Sequence, residues 1–171
     1  MGRIMSEAKP HRKRDIFVEG AIPASFIAES IAKHATRHDI GAHEIFLGQV
    51  RADVVVSPSD HDGRGALRQA EGDNTVTAIE YTAYVDMANE QMTEIREEAF
   101  AKWPAMTCLH VHHSLGVIPA GQLCFMVFAS APHRQQAREA VAYVTDEVKK
   151  RLPIFGKEIF AEGGHVWKRN S

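Results

Sequence analysis

The sequence has 171 residues, of which 44% are hydrophobic and 25% are charged, so it is long enough for one domain with a hydrophobic core and short for two. A formal net charge of −2 gives the whole molecule no electrostatic attraction to nucleic acid or to an acidic membrane surface. Cys108 and Cys124 belong to no CxxC pair and form no disulfide framework, which fits a reducing cytoplasm, and no apolar run reaches the roughly 20 residues of a membrane-spanning helix.

The first 14 residues are polar and basic. Residues 1–14 lack the apolar run of a signal peptide, so we predict a flexible tail followed by a single domain over residues 15–171. Residues 15–19 are typical of a short strand, and residues 23–37 carry apolar side chains at helical spacing. The domain is therefore expected to open with a strand and a helix.

The next segment contains two predicted strands and a polar interruption. Residues 42–51 predict a strand, in which Gly48 indicates a bulge or a close approach of backbone. Residues 57–74 are rich in Asp and Gly and offer almost nothing to bury, which predicts a long mobile loop. Residues 75–84 return to β-type side chains and predict a strand that is half exposed on one face.

Two long helices are predicted at residues 85–103 and 132–151, where apolar side chains recur at helical spacing. Between them, residues 107–115 and 122–130 predict an antiparallel pair of strands joined across residues 116–121. The predicted buried stripes are Ala88, Met92, Ile95, Ala99 and Trp103 on the first helix, and Ala137, Ala140, Val141, Val144, Val148 and Leu152 on the second.

The start of the last helix carries two local signals. Ser130 is a candidate cap, and Pro132 is tolerated in a first turn. After this helix, residues 157–160 and 166–167 predict short strands around a Gly-Gly turn. The order of elements lacks strict βαβ alternation, so we predict an α+β fold with mixed or antiparallel sheets and about three helices.

Positive charge is concentrated at three places that could bind an anion. Arg51 ends a strand, His133 and Arg134 open the last helix, and Lys149 lies near its end. Backbone N–H groups at a helix start favour anions, and arginine adds a bidentate contact to phosphate or carboxylate. The alternatives are an exposed polar first turn and a solvated helix end, where the macrodipole favours cations. Lys149 borders the buried stripe and could act as an acid, a nucleophile or a charge clamp.

The helix itself limits how these groups combine. His133 and Lys149 are 16 positions apart, which is roughly 24 Å at 1.5 Å per residue. One small ligand cannot touch both within one chain. Either the two ends serve separate anion subsites, or one site is built from two subunits.

The sequence gives less support to a metal site, a catalytic thiol, or a hydrolase or nucleotide-binding motif. His110 and His112 are expected on one strand face with His113 beside them, but no cysteine or carboxylate joins them at a recognisable spacing, so no metal and no cofactor are expected. Both cysteines are interpreted as core strand residues. The sequence contains no GxSxG, P-loop or GxGxxG motif.

The chain resembles the large, catalytic subunit of molybdopterin synthase, the MoaE family, along most of residues 40–160. The matching segments, in order, are Phe46 to Arg51, Glu80 to Tyr84 with Met87 and Ala88, His112 and His113 with Leu115 and Gly116, Ser130 with His133 and Arg134, and Lys149 to Glu158. The resemblance implies an α/β-hammerhead-type fold.

The resemblance also implies a cytoplasmic sulfurtransferase of molybdenum cofactor biosynthesis. Such an enzyme takes sulfur from the thiocarboxylated C-terminal Gly-Gly tail of a small ubiquitin-like subunit and converts cyclic pyranopterin monophosphate to molybdopterin. The family forms a large-subunit homodimer within a heterotetramer. By position, the implied catalytic residues are Lys149 and Lys157, and the implied substrate-binding residues are Gln49, Val50, Arg51, His133, Arg134, Lys149, Gly156, Lys157 and Glu158.

Two positions depart from the family pattern. Gly156 stands where the family has its second important lysine, and Ser114 follows His113 where the family usually has arginine. Lys157 can replace the lost lysine only if the turn shifts, because adjacent residues of an extended chain face opposite ways. The alternative function is therefore a non-catalytic binding subunit that retains the fold and the groove for the partner's tail.

Overall fold

The structure is a computed structural model that describes residues 15–54, 75–161 and 164–167. The tail predicted at 1–14 and the mobile loop predicted at 57–74 lie outside the described residues. Within the described ranges, no helix is both long and apolar enough to cross a membrane.

Three helices and seven strands make up the described part of the chain, which confirms the predicted α+β class. The helices are α1 (Ser25–Ala32), α2 (Val85–Lys102) and α3 (Arg134–Arg151). The strands are β1 (Phe17–Glu19), β2 (Ala42–Gln49), β3 (Val76–Ala83), β4 (Cys108–Pro119), β5 (Leu123–Ala131), β6 (Ile154–Phe160) and β7 (His165–Trp167).

The strands form one sheet in the order β2-β5-β4-β3-β6-β7, with β1 paired in parallel to β4 and the remaining pairs antiparallel. Strand β4 is the longest, and it changes partner along its length. Its residues 108–113 pair with β5, whereas its residues 116–119 pair with β3. The change occurs at Gly116, whose φ of 82° suits glycine.

Several predicted boundaries need correction. Strand β4 continues through the predicted connection 116–121 as far as Pro119, because β3 provides a new partner there. Ser130 does not cap α3, since the N-cap is His133 and no side chain caps it. Pro132 lies before that cap and not in the first turn. Helix α1 ends at Ala32, and irregular turns follow it.

The hydrophobic core lies between the sheet and helices α2 and α3. The predicted stripes are confirmed, since every member is buried except Trp103, which packs partly buried against the core. A second, smaller cluster on the opposite face contains Ile22, Met126 and Phe128, with Phe26 and Ile27 of α1 against it. The sheet thus separates two layers of unequal depth.

Arg151 fixes the end of α3 against α2. Its guanidinium lies 2.9 Å from Glu94 and 2.8 Å from Glu98, and it also contacts Glu147 of its own helix at 3.5 Å. Burial of the apolar stripes supplies most of the helix packing, because partly exposed ion pairs contribute little each. The network sets the position of the last turn, which carries Lys149.

Gly41 allows a close approach between the start of β2 and the start of α3. A Cβ built on Gly41 would lie 2.2 Å from the backbone oxygen of Pro132, closer than real Cβ contacts. The Gly41 N–H also donates to the Ala131 carbonyl at 3.1 Å. The contact involves backbone on both sides, so neither partner can move away as a flexible side chain does.

We expect Gly41→Ala to lower the free energy of unfolding by on the order of 1–3 kcal/mol, because the added methyl group forces backbone apart. Gly164→Ala is the matched control, since its Cβ would meet Phe160 at an ordinary 3.6 Å. Urea unfolding of both variants measures the difference. Equal stability of the two variants would refute the tight contact.

Candidate active site

The segment 48–51 ends strand β2 with a bulge. The register shifts between Gly48 and Gln49, which confirms the irregularity predicted at Gly48. Val50 is buried and hydrogen-bonded through its backbone to Gln122 and Gly121, at 3.0 and 2.8 Å. Gln49 on one side and Arg51 on the other are exposed. The bulge therefore holds two polar side chains at the surface beside a fixed, buried valine.

Arg51 can bind a ligand if it gives up a weak ion pair with Asp53. Its guanidinium donates to Asp53 at 2.7 Å, while its side chain remains 77% exposed. An exposed ion pair contributes little free energy because solvent screens it. A phosphate or carboxylate ligand can therefore compete with Asp53 for this group.

A compact polar cluster adjoins Gly48. The Tyr81 hydroxyl donates to the Cys124 sulfur at 3.5 Å, and the Cys124 thiol donates to the Gly48 carbonyl at 3.5 Å. The His113 ring lies edge-on to the Tyr81 ring, with centroids 5.0 Å apart. Burial raises the pKa of Tyr81, and its hydrogen bond to Cys124 adds to the effect. We name Tyr81, His113 and Cys124 the Tyr81 cluster.

His113 is the neutral imidazole of this cluster. Burial lowers its pKa to about 4, the positive charge of Lys149 contributes to the same direction, and a hydrogen bond between Nδ1 and the Ser114 carbonyl at 2.9 Å opposes it only in part. Lys149 itself is exposed, in the last turn of α3. The ammonium group is thus close enough for its field to act on His113, and the imidazole adds no competing positive charge at neutral pH.

Gly156 faces the Tyr81 cluster from strand β6. It pairs with Tyr81 across the sheet, and a Cβ added to it would meet Ile79 at 3.2 Å and Tyr81 at 3.4 Å. A side chain at position 156 would therefore meet the packed side chains of Ile79 and Tyr81.

Lys157 lies on the opposite face of β6. Its ammonium nitrogen is 2.6 Å from a carboxylate oxygen of Glu80, its cross-strand partner. The register of β3 and β6 shifts only between Val76 and Ala78, and no shift occurs at Gly156. Glu158 returns to the Gly156 face, where its negative charge contributes to raising the pKa of Tyr81.

His133 and Arg134 lie at the other end of α3. They line an open cavity of about 790 Å³ together with Gly41, Pro132 and Arg138. Both side chains are exposed. The 18-residue helix separates them from Lys149 by roughly 24 Å along its axis. Within one chain, the structure therefore places Gly48, Gly156 and the charge of Lys149 beside the Tyr81 cluster, and leaves His133 and Arg134 apart.

Sequence reasoning missed two features of this region. The first is the Tyr81 cluster, because a tyrosine and a cysteine in strands give no signal until the sheet register is known. The second is an apolar groove of about 450 Å³ lined by Thr82, Ala83, Tyr84, Phe155 and Trp167. Three of these side chains are large and exposed. The residues come from three strands and the start of a helix, so no spacing in the sequence connects them.

The buried, neutral state of His113 makes stability depend on pH. Its folded pKa of about 4 lies below the ordinary 6.5. The part of the free energy of unfolding that depends on the neutral imidazole is therefore fully present above pH 6.5 and is lost as pH falls from 6.5 toward 4. Between pH 7 and pH 5, we expect the free energy of unfolding to fall by about 2 kcal/mol more in the wild-type chain than in His113→Gln. His110 and His112 remain in both proteins and cancel in the comparison. Urea unfolding at the two pH values is the measurement, and an unchanged loss would contradict the assignment.

Comparisons with known proteins bear on this geometry. The family described as "MoaE protein" matches residues 63–151. "Molybdopterin synthase catalytic subunit 2" of Aedes aegypti is 36% identical over 135 residues, which cover 78% of this chain and 80% of that protein.

Solved structures share the fold. The crystal structure of molybdopterin synthase from Staphylococcus aureus matches with a TM-score of 0.70 and 25% identity, covering 93% of this chain and 99% of that one. The complex of subunits 1 and 2 of molybdopterin-converting factor from Helicobacter pylori matches with a TM-score of 0.67 and 17% identity, covering 90% and 88%. The chain belongs to the MoaE family.

Proposed function

We propose that this protein is the catalytic subunit of molybdopterin synthase. It transfers sulfur from the thiocarboxylated C-terminus of a small ubiquitin-like subunit to cyclic pyranopterin monophosphate, without a cofactor. Membership of the MoaE family supports the reaction. The observation that carries the assignment of the site is the position of Lys149, which is exposed and acts electrostatically on the neutral His113.

Lys149 is the proposed catalytic residue. After the thiocarboxylate sulfur has bonded to a substrate carbon and displaced an oxygen there, water attacks the acyl carbon of the resulting thioester and creates a tetrahedral oxyanion. Its collapse breaks the acyl C–S bond, leaving sulfur on the substrate and a carboxylate on the partner's tail, and an ammonium group beside it stabilises the developing charge. The same group can deliver or accept a proton during the transfer. Because His113 stays neutral at pH 7, it leaves Lys149 as the cation of this pair. Gln49, Val50 and Arg51 line the substrate side, where Arg51 can exchange Asp53 for the substrate phosphate.

His133 and Arg134 are proposed to complete the site from a second subunit. Their distance from Lys149 along α3 exceeds the reach of one small substrate, whereas a dimer can bring one chain's helix start to the other chain's helix end. The proposed assembly is a homodimer of this chain with a small subunit at each end. A solved structure of the same fold is a complex of two molybdopterin-converting factor subunits.

The partner's tail is proposed to approach along the groove of Tyr84, Phe155 and Trp167. These exposed side chains form an apolar surface of the kind that marks protein contacts. Phe155 directly precedes Gly156 on β6, with its side chain on the opposite face of the strand. The proposed location of the reaction is the cytoplasm.

Lys157 has a secondary role in this proposal. Its ammonium is paired with Glu80 on the face of β6 away from Gly156, so its role is to hold β6 in place against β3. Gly156 and Glu158 contribute backbone and charge beside Tyr81. A binding subunit without turnover is the second candidate, favoured by the glycine that replaces the family's lysine.

Lys149→Ala should reduce turnover at least about a hundredfold, because loss of one oxyanion-stabilising group costs on the order of 10²–10³ in rate. The assay combines the purified chain, a thiocarboxylated ubiquitin-like partner and cyclic pyranopterin monophosphate, and measures molybdopterin. Lys150→Ala is the matched control, since Lys150 is the next residue, is 76% exposed and pairs only loosely with Glu147 at 3.7 Å. It should change turnover by less than about threefold.

Full activity of Lys149→Ala would remove that residue from its role. If the wild-type chain binds the partner tightly in a titration but forms no product, the non-catalytic binding subunit is the correct reading. Absence of both binding and product would refute both functions.

The two-chain site predicts complementation between inactive variants. When Lys149→Ala and Arg134→Ala chains are mixed and allowed to exchange subunits, each mixed dimer contains one site with neither substitution. Random exchange makes half of the dimers mixed, so about a quarter of wild-type activity should return. Each variant alone is the control. Activity that stays at the level of the separate variants would show that Lys149 and Arg134 of different chains do not share a site.

A further inference from the structure

A second cluster of reactive side chains lies on the opposite face of the sheet from the Tyr81 cluster. It consists of His34, Cys108 and His110, and their potential ligand atoms all lie within 4.8 Å of one another. Each side chain is half-buried. Two imidazoles and one thiol at this separation match the donor types that zinc prefers in proteins.

Backbone geometry brings the three residues together. Cys108 and His110 are two positions apart on β4 and therefore project from the same face. His34 follows the end of α1, and its ring centroid lies 5.7 Å from that of His110. The ring of Phe128, on the neighbouring strand, lies beneath both imidazoles at 5.8 and 5.6 Å. The cluster therefore connects the end of α1 to strand β4, and the Phe128 ring packs against both imidazoles.

Outer contacts orient two of the ligands. The His34 Nδ1 lies 2.5 Å from the Ser30 carbonyl, and a carbonyl only accepts, so Nδ1 is the donor and Nε2 keeps its lone pair. A metal-binding histidine characteristically donates its second nitrogen in this way. The Cys108 sulfur lies 3.1 Å from the Ser130 hydroxyl, which also contacts His43 Nδ1 at 2.7 Å. Ser130 can donate to a thiolate while its position stays fixed by β5.

Two nearby histidines, His112 and His113, lie outside this cluster. His112 is on the same face as His110, but its ring packs edge-on against Phe26 at 5.3 Å. His113 faces the other side of the sheet, toward Tyr81. The side chains of His110, His112 and His113, which are neighbours in the sequence, therefore do not point to one place. The converging set combines a Cys-x-His pair of one strand with a histidine from a distant turn.

We propose that His34, Cys108 and His110 bind one Zn²⁺ ion, with solvent in the fourth position. The ion ties the turn after α1 to strand β4. This link is useful there, because α1 rests on the smaller of the two hydrophobic clusters and its Ile31 is 45% exposed. The site lies outside the proposed active site and does not depend on the proposed function.

Direct metal binding tests the site. The full chain, purified without a histidine tag and stripped with chelator, is titrated with Zn²⁺ alone and then with Co²⁺ as a spectroscopic substitute. We expect one ion per chain, a thiolate-to-cobalt charge-transfer band, and a Tm that rises with Zn²⁺ concentration because the ion binds the folded state. His34→Gln should lower the affinity at least about a hundredfold, and Cys108→Ser should abolish the charge-transfer band.

Two variants serve as controls. His112→Asn changes a neighbouring histidine of the same strand face, and Cys124→Ser removes the thiol of the Tyr81 cluster, so both should keep wild-type affinity and the cobalt band. His34 lies in a half-exposed turn, so His34→Gln is expected to fold, and circular dichroism without metal checks each variant. Absence of stoichiometric binding, or wild-type binding by His34→Gln and Cys108→Ser, would overturn the proposal.

Discussion

Strand β4 organises both faces of the sheet. It is hydrogen-bonded to β5 along its first half and to β3 along its second, and β1 joins it near the point of change. Its side chains alternate between two faces, so Leu109, Val111 and His113 face the layer of α2 and α3, whereas Cys108 and His110 face α1. The Tyr81 cluster and the histidine-cysteine cluster are thus opposite sides of the same backbone.

Burial decides the electrostatics on the face of the sheet that carries the Tyr81 cluster. His113 is held neutral by desolvation, and the Tyr81 hydroxyl is kept protonated by the same effect. These two groups therefore act as dipoles and packing surfaces at neutral pH. Formal charge lies at the margin of the cluster, on Lys149 at the end of a helix and on Glu158 of β6, while the Lys157–Glu80 pair lies on the opposite face of the strand. A site arranged in this way can bind an anion without first neutralising a buried charge.

Much of the fold could be predicted from the sequence, because periodicity reports which face of an element is buried. The stripes of α2 and α3 and the bulge at Gly48 follow directly from local pattern. The length of β4 could not be predicted, since it depends on β3, a partner distant in the chain. Ser130 was misassigned as a cap for a similar reason: its hydroxyl instead contacts His43 and Cys108 on the strands beside it. The convergence of His34 with Cys108 and His110 likewise needs the sheet register.

Helix α3 sets a requirement on assembly. Its backbone hydrogen bonds hold the distance between the His133 end and the Lys149 end, so no side-chain rearrangement within a chain can close it. Under the proposed two-chain site, a correctly folded protomer by itself holds only two halves of different sites. The concentration of active sites is then governed by the association equilibrium, and dilution produces inactive molecules that are fully folded. Inactivation of this kind is reversible on concentration, and because association stabilises the folded chain, dilution also lowers the apparent Tm.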